Sequence, residues 1–369
     1  MTGKRRTRRT ENPVKVDELR PWSELPTDLL RLIVSRLCLK DNVRLSCVCK
    51  KLGKVARKLR VVNQSPWLMF TPALGGILKF FDPSQGKFYV DEIPELCLTE
   101  IKCSKDGWVL ISGRALFLFN PFTLSVVDLP YYSVHSSTFA LSCAPTSPDS
   151  VVFAIQTHLA FNQGLDTQEV SIGICHPGDS QWSTFKFQIP GDCYFYNWGD
   201  GPVFCNGLFY CLSKYSYNFL GVFDPQKHTW SILDVPPPNL PPMIYYDKRA
   251  KHMVEFKGEL LLVCVSYPDK PIIFKLDLSK MKWVEMQSLN DVTVFVSSHS
   301  SLAVTNVPRI SSNSVYFSKR RNYGKNIYLY SLNDCKYHPA MQQHEGPFFH
   351  NALWIKPPKK SHLLFDELY

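Results

Sequence analysis

This chain of 369 residues lacks any apolar run near the roughly 20 residues that a membrane-spanning helix needs. The longest such run, LLLVCV, covers only residues 260–265. The N-terminus is basic and polar, without the apolar core of a secretory signal. We therefore expect a protein of the nucleus, the cytoplasm or both, with no membrane partner.

The twelve cysteines lack the close pairing of a metal site or a redox motif. No C-x-x-C occurs, and Cys47 and Cys49 would point to different sides of a helix. The ten histidines are equally dispersed, whereas structural zinc needs four converging ligands. We expect reduced, buried cysteines that act as small hydrophobic residues, and no metal or other cofactor.

Motifs of the common catalytic sites are also missing. The sequence contains no G-x-S-x-G, no H-E-x-x-H and no phosphate-binding G-x-x-x-x-G-K-[ST]. Asp and Glu occur mostly in turn-like segments, where backbone hydrogen bonding alone explains them. The sequence therefore predicts a protein that is not an enzyme and has no catalytic residues.

Charge and aromatic residues divide the chain into two parts. Residues 1–60 hold 17 Lys and Arg against 6 Asp and Glu, whereas residues 61–369 hold 25 against 26. Trp22 is the only one of the 49 aromatic residues that precedes residue 61. We predict two different modules joined by a linker at 61–66.

The first module begins with a basic tail at 1–20, which is poor in apolar residues and is predicted to be disordered. Its KRRTRR run suits a nuclear-import signal, a nucleic-acid contact or simply a solvated tail. Two amphipathic helices follow. In the first, Pro26 suits the opening turn and Asp28 the positive end of the helix dipole. One apolar stripe then contains Leu29, Leu30, Ile33, Val34 and Leu37.

The second helix is predicted to open at Asp41 and to run to Leu59, with Lys and Arg between its apolar positions. About 40 residues of helix bury too little surface to be stable alone. The leucines must therefore be covered by the second module or by a partner, and the basic surface favours an acidic partner with an apolar groove. A helix–turn–helix DNA reader is disfavoured, because Lys, Arg and Cys on the second helix suit phosphates better than base edges.

Residues 25–57, LPTDLLRLIVSRLCLKDNVRLSCVCKKLGKVAR, resemble an F-box. The resemblance implies that F-box helices at 21–60 dock into a Skp-type adaptor and, through it, join a cullin–RING ubiquitin ligase. Matching positions, which the resemblance makes adaptor-binding residues, are Leu25, Pro26, Asp28, Leu29, Ile33, Arg36, Leu37, Val48, Cys49 and Lys50, and Arg44 also fits the pattern.

From residue 67 onwards a degenerate unit repeats. A short strand ends at a turn residue, often followed by Pro, and a second strand follows the turn. Trp182, Trp230 and Trp283 stand six residues after their turn residue, which indicates a shared packing role between units rather than a binding cage. The turn residues are Asp82, Asn120, His176, Asp224, Asp277 and Asn333.

Each repeat is predicted to supply the outer hairpin of a four-stranded propeller blade, with two inner strands before it. The unit at 67–95 is incomplete, and NALWIKPP at 351–358 could supply its missing strand and close the ring. The fold class is therefore mainly β with a small α-helical N-terminal module: F-box helices followed by a β-propeller of six blades at 67–369.

The segments DGWVLIS and LFLFNPFTLSVVDLP within 106–130, together with the terminal LWIKPP, resemble the KIB-type, kelch-like propellers of plant F-box proteins. Classical kelch repeats carry a Gly-Gly pair in each blade, whereas Gly75-Gly76 is the only pair here and lies outside that context. With the F-box, the resemblance covers almost the whole chain.

Several loop-like segments of the propeller combine aromatic and cationic residues, which commonly anchor partners. The candidate substrate-binding residues are Trp198, Tyr246, Arg249 and Arg321, and ordinary blade connections are the alternative reading.

The sequence thus predicts the substrate-recognition subunit of an SCF-type (Skp–cullin–F-box) ubiquitin ligase, which binds an unknown target protein for ubiquitination. One alternative is an F-box and propeller protein without a ligase role. Another is a propeller that binds a glycan or small molecule, including an enzyme whose residues come from distant loops.

Overall fold

The computed structural model divides the chain into two compact units, Met1–Val61 and Val62–Tyr369. The basic tail at 1–20, residues 61–64 of the linker and several loops lie outside the residues that it describes. Described are residues 25–35, 45, 48–58, 65–71, 76–134, 137–158, 167–191, 193–195, 201–213, 219–241, 251–297, 299–318, 327–339 and 351–357.

The N-terminal unit contains helices α1 (Thr27–Ser35) and α2 (Lys50–Lys58). The first helical hydrogen bond of α1 runs from Leu30 N to the carbonyl oxygen of Pro26 at 3.1 Å, as expected for a proline at a helix start. Four buried side chains join the helices in a small apolar core, namely Leu30, Val34, Leu52 and Val55.

The predicted helix from Asp41 to Leu59 is not continuous. Leu45 and Val48 are helical, but Cys49 is not, and α2 begins after it. The Sγ of Cys49 accepts a hydrogen bond from Leu52 N at 3.5 Å, in the manner of an N-cap side chain. Cys49 therefore precedes a separate helix, α2, whose Leu52 and Val55 pack against α1.

The second unit consists of six sheets, the blades, which confirms the predicted propeller. Blade 1 contains β1 (Trp67–Thr71), β2 (Ile77–Asp82), β3 (Lys87–Glu92) and β25 (Asn351–Ile355), and a short 3₁₀ turn at Pro94–Leu96 follows it. Blade 2 contains β4 (Glu100–Lys105), β5 (Trp108–Ser112), β6 (Leu116–Asn120) and β7 (Ser125–Leu129). Blade 3 contains β8 (Thr138–Leu141), β9 (Val152–His158), β10 (Thr167–Cys175) and β11 (Ser183–Pro190).

Blade 4 contains β12 (Val203–Cys205), β13 (Leu208–Leu212), β14 (Phe219–Asp224) and β15 (Thr229–Asp234). Blade 5 contains β16 (Lys251–Phe256), β17 (Glu259–Cys264), β18 (Ile272–Asp277) and β19 (Lys282–Met286). Blade 6 contains β20 (Val292–Val296), β21 (Leu302–Thr305), β22 (Ser314–Ser318), β23 (Ile327–Ser331) and β24 (Lys336–Pro339). Among the described residues, no helix combines the length and the apolar character that crossing a membrane requires.

Blade 6 departs from the predicted four strands because it has five, in the order β21-β20-β22-β23-β24. The strands β20 and β21 form an antiparallel hairpin, and β22 then pairs with the other edge of β20. Since β21 reverses the chain, residues 306–313 must bring it back to the start of β20, and β22 consequently runs parallel to β20. The sequence of short apolar runs did not reveal this order.

The last described strand closes the ring, as predicted. In blade 1, β25 pairs antiparallel with β1, from Trp67 opposite Ile355 to Thr71 opposite Asn351. The Trp354 Nε1 atom also donates to the Val296 carbonyl of blade 6 at 3.1 Å, and Ser104 Oγ of blade 2 donates to the Trp354 carbonyl at 3.1 Å. One strand from the far end of the chain therefore ties blade 1 to both of its neighbours.

Apolar side chains fill the spaces between the blades. Six buried clusters are found among the described residues of this unit, and each draws on two adjacent blades. Inner strands such as β5 are buried along their whole length because a neighbouring blade covers each face, whereas the outer strand β11 is mostly exposed. This explains why the inner strands read as continuous apolar runs in the sequence.

The three spaced tryptophans pack between blades, which confirms their predicted role. Trp182 packs against blade 2, and its Nε1 donates to the Pro130 carbonyl at 3.0 Å. Trp230 packs in the cluster of blades 3 and 4, and Trp283 in that of blades 4 and 5. Gly221 is required beside Trp230, since a Cβ there would lie 2.1 Å from the indole ring.

In four of the six blades, the predicted turn residue organises the outer hairpin by an Asx-turn. Its side-chain oxygen accepts the backbone N–H two residues later, at 2.8 to 3.0 Å. These residues are Asp82, Asn120, Asp224 and Asp277.

His176 and Asn333 also lie at the turns of blades 3 and 6, but there another acid accepts the side-chain hydrogen bond. In blade 3, the carboxylate of Asp179 accepts from His176 N at 2.7 Å. In blade 6, Asp334 accepts from Lys336 N at 3.3 Å, while Asn333 Oδ1 accepts from Asn313 Nδ2 at 2.7 Å. In both blades, the accepting carboxylate belongs to a residue that follows the predicted turn residue in the sequence.

The surroundings shift the pKa values of two of these turn acids, Asp82 and Asp224, in opposite directions. Burial raises the pKa of Asp82, although Ser84 and Gln85 donate to its carboxylate. Hydrogen bonds led by the Lys227 N–H lower the pKa of the partly buried Asp224. The charged form of Asp82 therefore costs stability, which is felt as the pH rises through its folded-state pKa, whereas charged Asp224 adds stability that is lost as the pH falls.

We expect Asp82→Asn to raise the melting temperature at pH 7, because it removes a buried charge and keeps the acceptor that Asn120 supplies in blade 2. The gain should vanish as the pH falls below 3.8, where Asp82 is protonated in both the folded and the unfolded chain. Asp224→Asn is the matched variant and should lower the melting temperature at pH 7. Thermal melts from pH 7 to pH 3 measure both, and a loss of stability in Asp82→Asn at pH 7 would contradict this.

Candidate partner-binding surface and central channel

Helix α1 carries a second apolar face that is partly exposed to solvent. Leu29, Leu32 and Ile33 are 48%, 56% and 36% exposed, and together they form what is called here the α1 patch. Leu32 and Ile33 follow Leu29 by three and four positions, so the three residues share one side of the helix, whereas Leu30 and Val34 pack in the core with α2.

The single leucine stripe predicted for α1 is consequently wrong, because tertiary packing splits it into a buried and an exposed half. Leu30 and Val34 serve the core of the unit, and Leu29 and Ile33 do not. Leu32 was missed by the sequence analysis. Its signal was available, since it stands three residues after Leu29 on the same side of the helix.

The other predicted adaptor-binding residues are distributed as follows. Pro26, Asp28 and Lys50 are exposed, and Val48 is 68% exposed. Leu25 and Cys49 are half-buried and pack against the two-helix core. Arg36 and Leu37 lie outside the described residues, as does Arg44.

The second helix of the N-terminal unit is basic. Helix α2, KKLGKVARK, contains no acidic residue, and Lys50, Lys51 and Lys54 are exposed on it. Lys51 Nζ donates to the Leu25 carbonyl at 3.0 Å, which ties α2 to the start of α1. The acid of α1, Asp28, is paired with Arg31 at 3.1 Å. An acidic partner would therefore meet little negative charge on the described part of this unit.

The second unit holds a cavity of about 200 Å³ at the centre of the propeller. All six blades contribute, each through its innermost strand or the residue next to it: Cys103, Phe139, Val203, Met253, Leu302 and Lys356. Residues far apart in the chain meet there because the inner strands of all blades surround one axis.

The described residues contain no metal-binding group of His, Cys, Asp and Glu, and several of their cysteines are buried. No group of three or more His, Cys, Asp or Glu among them is placed to hold a metal ion. Burial raises the pKa of the Cys175 thiol to about 12 and that of the Cys205 thiol to about 11, so both remain protonated and poorly nucleophilic at neutral pH. Burial also raises the pKa of Cys103 and of Cys211.

The four candidate substrate-binding residues, Trp198, Tyr246, Arg249 and Arg321, all lie outside the described residues. They remain predictions from sequence.

Comparison with known proteins agrees with both units. Residues 22–63 match the F-box domain, and residues 80–336 match the KIB1-4 β-propeller. Among solved structures, TolB from Acinetobacter baumannii is 9% identical with a TM-score of 0.44, covering 83% of this chain and 70% of TolB. So distant a likeness has no bearing on function.

Relatives from Arabidopsis thaliana are similar over nearly the whole length. The F-box/kelch-repeat protein At1g57790 is 36% identical, covering 92% of this chain and 96% of the relative. The F-box protein At3g56470 is 30% identical, covering 93% of this chain and 90% of the relative. The chain therefore belongs to the family of F-box proteins that carry a KIB1-4 β-propeller.

Proposed function

We propose that this protein is the substrate receptor of an SCF-type ubiquitin ligase. The N-terminal unit docks to a Skp-type adaptor, the adaptor joins a cullin–RING ligase, and the propeller binds the target protein. The observation that carries the proposal is the α1 patch, which presents three apolar side chains to solvent. A unit this small has little apolar surface to bury, so apolar residues left exposed point to burial against a partner.

The physical chemistry of the N-terminal unit supports such docking. Covering an apolar side chain that is about half exposed contributes about 1 kcal/mol, so the α1 patch supplies a useful part of a binding free energy. The lysines of α2 add long-range attraction to an acidic adaptor, which speeds association more than it tightens the complex. The apolar patch therefore provides affinity, and the basic helix provides the preference for an acidic partner.

In this role the chain makes no bond itself. It holds a lysine of the target close to the ubiquitin-charged enzyme, and the rate rises because the reaction becomes effectively intramolecular.

The proposal is tested by capturing the full-length chain from plant cells and measuring adaptor and cullin in the bound fraction by mass spectrometry. Both should co-purify in amounts close to that of the captured chain, and the captured complex should ubiquitinate bound proteins when supplied with charged ubiquitin-conjugating enzyme. Adaptor without cullin would overturn the ligase role and favour a binding protein. Absence of the adaptor would overturn the docking as well.

A further inference from the structure

We propose that the central cavity of the propeller binds a small, uncharged molecule rich in hydroxyl groups, of about the size of a monosaccharide. This inference concerns the second unit and is independent of adaptor docking.

The size of the cavity limits the ligand to a single substituted ring. Its volume is about 200 Å³. A cavity of about 150 Å³ holds a benzene-sized molecule, whereas drug-sized ligands need roughly 300 Å³ or more. Phe139 and Met253 also line it, but they are only 1% and 3% exposed and pack between blades, so they offer little apolar surface to a ligand.

The lysines and acids around the cavity balance one another in charge, and His299 also lines it. Lys105 and Lys356 contribute two positive charges, and Asp106 and Glu255 contribute two negative charges. An anionic ligand would meet two carboxylates, and a cationic ligand two ammonium groups. A hydroxyl group can accept from an ammonium and donate to a carboxylate, and therefore satisfies both signs of charge.

One ion pair is open enough for a ligand to join it. Lys105 Nζ and Glu255 Oε2 are 3.8 Å apart, beyond the distance of a good hydrogen bond. The other oxygen of Glu255 accepts from Gly258 N at 3.0 Å, which fixes the carboxylate in place. A ligand hydroxyl beside this pair would donate to Oε2 and accept from Nζ, and both bonds would be charge-assisted.

The serines of the cavity add further acceptors on a fixed frame. Ser104 Oγ donates to the Trp354 carbonyl at 3.1 Å, and Ser300 Oγ donates to the Ser104 carbonyl at 3.3 Å. Ser297 Oγ donates to the Ser300 carbonyl and accepts from Trp354 N at 3.4 Å. Because each of these hydroxyl hydrogens is already engaged, the oxygens face a ligand as acceptors. A surplus of acceptors selects a ligand with many O–H donors rather than phosphate.

The test is titration of the full-length protein with D-glucose, D-galactose and myo-inositol by ligand-observed NMR and calorimetry, with inorganic phosphate and putrescine as charged comparison probes. We expect at least one neutral probe to bind with a dissociation constant of about 1 mM or below, and the charged probes to bind more weakly. Failure of all three neutral probes to bind, or tighter binding of phosphate or putrescine, would overturn the proposal.

Variants then locate the site. Lys105→Met and Glu255→Gln should each weaken binding of the neutral probe about tenfold, since each removes one charge-assisted hydrogen bond. Lys186→Met and Glu259→Gln are the matched controls, because these residues form ion pairs on blade 3 and blade 5 outside the cavity. Equal affinity of the neutral probe for the two cavity variants and the two control variants would overturn the assignment.

A cavity-filling variant keeps the test decisive if a charge variant fails to fold. Ala303 lines the cavity on β21 and also packs against the cluster between blades 5 and 6. Ala303→Phe should abolish binding of the neutral probe, and a thermal melt of the unliganded variant checks that it folds. Retained binding in Ala303→Phe would contradict the site. Adaptor co-purification, measured on the same variants, should be unaffected, which separates this proposal from the docking one.

Discussion

Replacing Leu29 and Ile33 together by aspartate should weaken binding of a Skp-type adaptor at least about a hundredfold, or about 2.7 kcal/mol. The two residues are exposed members of the α1 patch. If the patch enters an apolar groove, each aspartate must lose its hydration there without gaining a partner, which is costly. The core of the unit should survive, because Leu30, Val34 and Leu52 are unchanged.

The matched control is Leu98→Asp with Leu124→Asp, which places the same charges at two exposed leucines of the propeller. Both positions have positive φ, a conformation that aspartate tolerates better than most residues. Calorimetry or surface plasmon resonance with purified adaptor measures both proteins. Affinity in Leu29→Asp/Ile33→Asp as high as in the control would contradict the docking role of the α1 patch.

The second large effect should follow from Trp354→Ala, which we expect to lower the free energy of unfolding by about 3–5 kcal/mol. The Trp354 side chain is fully buried and meets Phe295 edge-on at 4.8 Å between ring centroids. Its indole Nε1 also donates to the Val296 carbonyl of blade 6. The substitution removes both contacts and leaves a cavity at the place where β25 closes the ring.

Tyr131→Ala is the control, since this aromatic side chain is 88% exposed on blade 2 and its loss should cost less than about 0.5 kcal/mol. Urea unfolding followed by tryptophan fluorescence and by far-ultraviolet circular dichroism measures both variants. The prediction fails if the two variants unfold at the same urea concentration.

Much of the propeller was readable from sequence because its signals are local. An Asp or Asn that bonds the backbone two residues later needs only its own turn, and Asp82, Asn120, Asp224 and Asp277 do so. The closing strand was predictable for a different reason. The first blade lacks one strand in the sequence, and one strand near the C-terminus has no blade of its own. Unless these two pair, each leaves an unpaired sheet edge.

Blade 6 was misread because the order of strands in a sheet depends on which edges remain free. The runs at 292–296, 302–305 and 314–318 are all strand-like, and nothing local tells that the second takes the inner position and the third returns beside the first. The same limitation applies to α1, where the periodicity of apolar residues is visible but their division between core and surface is not.

By itself, the sequence determined that a short basic helical module precedes a ring of β-blades, and that the helical module belongs to the F-box class. Composition, turn chemistry and apolar periodicity depend on residues that are close in the sequence, so they can be read without knowing the fold. Only the tertiary structure decided which leucines of α1 remain exposed, and that Lys105, Glu255 and the serines of blades 2 and 6 surround one cavity. Those facts depend on packing between segments hundreds of residues apart, and the ring closes only when all six blades are in place.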